Sequence, residues 1–140
     1  MSSLASGLVQ GVRALRPMVP ARDFAVSTRF YIDLGFRPRA LDARLIEMHL
    51  GAFSFILQDY YVKEWADNFV MHGLVTDLDG WWKHIDALDL PARYGVRAQG
   101  PKLESWGMVA GFTDPSAVLW RFTQARLSHD PEDARAVSIS

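Results

Sequence analysis

The sequence predicts an α+β chain made of two successive βαβββ modules, about residues 16–59 and 68–124, whose strands form a curved mixed sheet around a cavity. Two observations predict this. The order strand, helix, three strands is legible twice, and each half alone would leave one sheet face uncovered, so pairing the halves closes the sheet around a hollow. A loose N-terminal arm and a polar C-terminal tail complete one 140-residue domain.

The first module opens with "MVPA", a short apolar strand, and Asp23 stands where a carboxylate caps a helix. "FAVSTRFYIDL" is that helix, with Phe24, Ser27, Tyr31 and Leu34 near one face and Gly35 as its left-handed stop. Phe36 restarts extended chain. In "ARLIEMHL", Ile46, Met48 and Leu50 alternate with Leu45, Glu47 and His49; in "AFSFILQ", Phe53, Phe55 and Leu57 share one side. After the polar and aromatic connector "YYVKEWADN" the pattern repeats. "FVMHGLV" is a strand, Asp77 or Asp79 caps the helix "GWWKHIDALDL" with Trp81, Trp82, Ile85 and Leu88 inward, and a turn-rich passage with room for a short edge strand follows. "WGMVAGF" and "AVLWRFTQ" are the last strands, joined by an Asp114–Pro115 turn. The helices align from Asp23 and from Asp77 in acidic start and apolar end, with few identities.

Composition narrows the function. With 49% hydrophobic residues the chain has material for a core, and 15 basic against 16 acidic residues give no electrostatic reason to expect nucleic acid. Cysteine is absent, which excludes disulfides and thiol chemistry and is compatible with a cytoplasmic location. The opening "MSSLASGLVQGVRALRP" lacks the basic start of a secretion signal and reads as an arm or short helix. No apolar run approaches the roughly 18 residues of a membrane span. The ending "SHDPEDARAVSIS" reads as a frayed tail.

"VPARDFAVSTRFYIDLGF", "DLDGWW", "SWG", "FTDPSAVLWRF" and a closing Gln124, in that order, resemble the glyoxalase, bleomycin-resistance and extradiol-dioxygenase superfamily, or vicinal oxygen chelate fold, over roughly Arg16 to Gln124. The Arg-Asp after the first strand, "FY..LGF", the Trp-Gly and the Asp-Pro hairpin together look most like the bleomycin-resistance branch. The resemblance implies a homodimer whose subunits enclose two clefts. It also implies a divalent-metal site in the superfamily's enzymes, from His or Gln, Glu, His and Glu on the first, fourth, fifth and eighth strands. Those positions fall here on Arg16, at or beside Phe55, on Val70 and on Arg121. None holds a divalent ion, and a guanidinium would repel one. The expectation is therefore no metal and no cofactor.

Each candidate residue has a plainer alternative. Trp106 stands at the tryptophan that stacks on the drug in bleomycin-resistance-like proteins, or it is core. His72 shares a strand face with Val70 and offers both stacking and hydrogen bonds, or is a satisfied sheet histidine. Arg16 and Arg121 meet acids of a partner subunit, face water in the cleft, or bind an acidic group of the ligand. Phe53, Phe55 and Met48 give the cavity apolar walls or pack in the core. Glu47 with His49 reads as a solvated strand face. Tyr60, Tyr61 and Trp65 form a rim over the ligand or cover the domain edge. No nucleophile elbow or phosphate-cradling glycine loop is present.

These readings favour a non-catalytic protein that binds and sequesters an aromatic-bearing small molecule, such as bleomycin or another antibiotic, with no nucleic-acid or membrane partner. The near-neutral charge is unlike the acidic character usual for binders of cationic bleomycin. A lyase, isomerase or dioxygenase-type enzyme of the same superfamily, with an atypical or absent metal site, is the alternative; an interaction module that has lost its ligand is a third.

Overall fold

A computed structural model describes residues 3–125; the segment read as a frayed tail lies outside the described residues. The elements are α1 (Ser3–Gln10), β1 (Met18–Pro20), α2 (Phe24–Leu34), β2 (Arg37–Asp42), β3 (Leu45–Leu50), β4 (Phe53–Gln58), α3 (Lys63–Asp67), β5 (Val70–Val75), α4 (Leu78–Leu88), α5 (Leu90–Tyr94), β6 (Ala98–Glu104), β7 (Gly107–Thr113) and β8 (Leu119–Gln124). They form two four-stranded sheets, ordered β1-β4-β3-β2 and β5-β8-β7-β6. In both, the module's first strand runs parallel to its last, and the other pairings are antiparallel.

Local chemistry fixes the helix ends as the sequence implies. The Asp23 carboxylate accepts from Val26 N at 3.1 Å, and Gly35 closes α2 at φ 116°, a conformation open to glycine at little expense. Asp77 caps α4 by accepting from Gly80 N at 2.9 Å, and Gln124 Oε1 accepts from Leu78 N at 3.0 Å, tying β8 to the start of that helix. Two short helices were not anticipated. In the connector, α3 has no side-chain cap, while Pro91 presets the first turn of α5 and Gly95 ends it.

Strand alternation sends Val19, Met48, Phe55 and Leu57 of the first sheet beneath α2, against Phe30, Tyr31 and Leu34, all within 3% of full burial. In the second sheet Ala110, Phe112, Trp120 and Phe122 face Leu78 and Ile85 of α4 in the same way. These are one core, because the Trp120 ring lies 5.6 Å from Tyr31, 5.7 Å from Phe36 and 5.5 Å from Phe55. A polar joint runs through it. Tyr31 donates its hydroxyl to Asp114 Oδ2 at 2.5 Å and accepts from Trp120 Nε1 at 2.8 Å, while Asp114 Oδ1 accepts from Ser116 N and Val118 N. Ser116 Oγ in turn accepts from Arg22 N at 2.9 Å. The Asp-Pro turn therefore fastens the second module to the first helix. With the helix-covered faces turned toward each other, the opposite faces of both sheets point outward. In the single chain the outward face of each sheet stands open.

Candidate ligand-binding site

The outward face of the second sheet holds a groove of about 680 Å³. Gln99, Val109, Gly111, Thr113, Leu119 and Arg121 line it, with Trp106 at one rim and Arg97 at another. Trp106 stands in the β6–β7 turn, 57% exposed, and Gly107 at φ 139° supplies the positive dihedral that a side chain would resist. That placement decides between the two readings of the tryptophan: it borders the groove and is not core. Gly111 pairs with Arg121 across the ladder, and a Cβ there would lie 2.7 Å from the Trp120 carbonyl oxygen. Bare backbone therefore lies beside the arginine stem.

His72 pairs with Arg121 from the other side, on β5, and its Nε2 lies 2.9 Å from Thr123 Oγ1. It shares the outward face with Val70 and Arg121, and its contact with Thr123 is that of a satisfied sheet histidine. Three strand spacings, roughly 14 Å, separate β5 from β6, so a small ring resting on Trp106 does not also reach His72.

The first sheet's outward face corrects two expectations. Glu47 does not lie on a solvated face: it is 4% exposed and ion-paired to Arg16, with Arg39 Nη1 at 3.1 Å and His49 Nε2 at 3.1 Å from its Oε1. Hydrogen bonding from Arg16, then from His49, holds its carboxyl at about 2, too acidic for a general base near neutrality. Arg16 therefore has its acid within its own chain. One signal was available, since Arg39 and Glu47 stand four residues either side of Ala43, as cross-strand partners of a tight hairpin do.

The apolar walls need correction too. Phe55 and Met48 lie on the helix-covered face, because residues that alternate with Glu47 and Ile56 must point the other way, and α2 packs there. Phe53 shares their parity but is 81% exposed, at the end of β4. Tyr60 and Trp65, with ring centroids 6.2 Å apart, line a second groove of about 420 Å³ with Met18, Pro20, Gln58 and Phe69. They border the first sheet's outward face, apart from the groove at Trp106.

On the outward faces, the first and last strands present Met18 opposite Ile56 and His72 opposite Arg121. Among the described residues no three His, Asp or Glu side chains gather to hold an ion. One imidazole beside a guanidinium and two apolar chains does not fit a divalent cation.

No family model and no curated protein matches the chain. Solved structures do. A bleomycin-binding protein complexed with bleomycin superposes with a TM-score of 0.70 at 23% identity, over 82% of this chain and 100% of that one. A bleomycin resistance determinant encoded on the transposon Tn5 gives 0.70 at 24% identity, over 83% and 100%. This chain has the glyoxalase/bleomycin-resistance fold. A lactoylglutathione lyase from Agrobacterium tumefaciens shares it, with a TM-score of 0.61 at 14% identity over 86% of this chain and 99% of the other. Arg16 precedes β1 and reaches Glu47, Val70 and Arg121 stand on the second sheet's outward face, and on β4 it is Ser54 and Ile56, not Phe55, that face outward.

Proposed function

We propose that the protein sequesters a planar, aromatic-bearing small molecule in clefts formed between two copies, the first sheet's outward face of one lying over the second sheet's groove of the other. The observation that carries this is Trp106, a large ring held more than half exposed at the rim of a groove of about 680 Å³. An exposed indole on a rigid hairpin stacks on a flat ligand at small entropic expense, and stacking adds roughly 0.5–1.5 kcal/mol beyond area burial. Two outward half-sites on one chain support the two-copy arrangement, since each lacks an opposing wall. Resistance to an antibiotic would follow from binding alone.

The test is titration of the purified protein with metal-free and copper-loaded bleomycin and a panel of planar antibiotics, following tryptophan fluorescence and melting temperature. Saturable quenching at micromolar concentration that Trp106→Ala abolishes is expected. A panel in which no compound raises the melting temperature refutes the reading, because a ligand selective for the native state must stabilise it. Light scattering should return twice the chain mass of 15.8 kDa.

A further inference from the structure

We infer that the groove selects a planar ligand carrying an anionic group, a carboxylate, sulfonate or phosphate, seated on Arg121 while its ring system lies on Trp106; this rests on the binding reading above. Arg97 and Arg121 both line the groove, Lys102 follows on β6 beside Val109, and the one carboxylate in the lining is Glu104. Among the described residues no acid is ion-paired with Arg97, Lys102 or Arg121. The first sheet's outward face has the same bias. There Glu47 is already neutralised by Arg16 and Arg39, and Arg37 stands opposite His49 with no acid of its own among the described residues.

The physical consequence is asymmetric. A flat molecule that covers Arg121 strips water from a guanidinium, and an uncompensated charge under a ligand is strongly unfavourable. A cation adds repulsion, a neutral ring leaves the donors unmet, and an oxyanion accepts two parallel N–H bonds from the fork. Distance permits both contacts at once. Trp106 and the Gly111–Arg121 pair stand five residues apart in sequence, at most roughly 17 Å of chain, and Trp106 and Arg121 line the same groove, so a bicyclic acid with the two long side chains suffices to bridge them. The missing side chain at Gly111 leaves the aliphatic stem of Arg121 uncovered on that side.

Calorimetric titration of the full chain with 2-naphthoate, 2-naphthamide and 2-naphthylmethylammonium tests the inference, because the three share a ring system and differ in charge. The expected result is 2-naphthoate binding at least tenfold tighter than the amide and tighter still than the ammonium, weakening with added salt. Arg121→Gln should bring naphthoate to the amide's affinity, and Trp106→Ala should weaken all three. If the amide or the ammonium binds as tightly as naphthoate in a Trp106-dependent way, the anion preference is wrong and the sequestering pocket stands. If none binds and the planar antibiotics also fail, both readings fall.

Discussion

Tyr31→Phe probes the joint between the modules with little other disturbance. The substitution keeps the ring, with its contacts to Phe55 at 4.9 Å and Phe36 at 5.6 Å, and deletes the hydroxyl alone. Two buried groups then lose a partner: Asp114 Oδ2, which accepts from Tyr31, and Trp120 Nε1, which donates to it. Asp114 is 1% exposed and Trp120 5% exposed, so water does not replace the hydroxyl without opening the core. Leaving a buried polar group unsatisfied typically forfeits about 1–3 kcal/mol, so the pair predicts a loss of about 2–6 kcal/mol, a large share of the roughly 5–15 kcal/mol of an ordinary domain. The deficit should be greater at pH 7.5, where Asp114 is ionised, than at pH 5. Urea unfolding followed by tryptophan fluorescence measures it as a lower midpoint at unchanged slope. A deficit below about 0.5 kcal/mol at pH 7.5 would refute the claim that this hydroxyl satisfies both groups.

Burial raises the Asp114 carboxyl from 3.8 to about 6 against the opposing bonds from Tyr31, Val118 and Ser116. The fold therefore binds that proton more tightly than the unfolded chain, and stability should fall by roughly 3 kcal/mol as pH rises from about 4 to about 6. Asp114→Asn should flatten that slope; an unchanged slope by urea titration would count against it. Glu47 acts in the opposite sense. Its carboxyl is lowered from 4.5 to about 2, so the stability it contributes is complete above 4.5 and is lost as pH falls toward 2, a loss that Glu47→Gln should remove from the acid-unfolding curve. Gly73→Ala should destabilise by about 1–3 kcal/mol, since its Cβ would sit 2.6 Å from the Phe122 ring, which is itself stacked on Trp81 at 5.6 Å; an unaltered melting temperature would show that the ring can yield. Elemental analysis of protein purified without chelators should find divalent metal well below one per chain; a stoichiometric ion would restore the enzymatic alternative.

Alternation and capping made most of the fold legible. Asp23, Gly35 and Asp77 mark helix ends through chemistry local to a few residues, and the period of two in β3 and β4 assigns each residue to a face correctly. The two short helices α3 and α5 escaped notice because five residues carry less than two turns of periodicity. Parity states which side chains share a face, but it does not state which face a helix will cover. Phe55 and Met48 suit a ligand wall and a core equally well by hydropathy, and the choice is made only by where α2 docks; Phe53, at the strand's first position, escapes that cover.

The same limit explains Glu47. A charged residue between apolar neighbours reads as solvent-facing, and here it does lie on the outward face, yet Arg16, Arg39 and His49 converge on it and leave it 4% exposed. Their cluster resolves a conflict that the fold creates. A sheet face that no helix covers must be compatible with water and still keep its side chains from collapsing together. An ionised carboxylate braced by two guanidiniums and an imidazole meets both requirements. It fixes the segment before β1 against β3 and keeps the buried carboxylate neutralised. The arginine on the other sheet, Arg121, has no such brace among the described residues, and the proposed preference for an anionic ligand rests on that asymmetry.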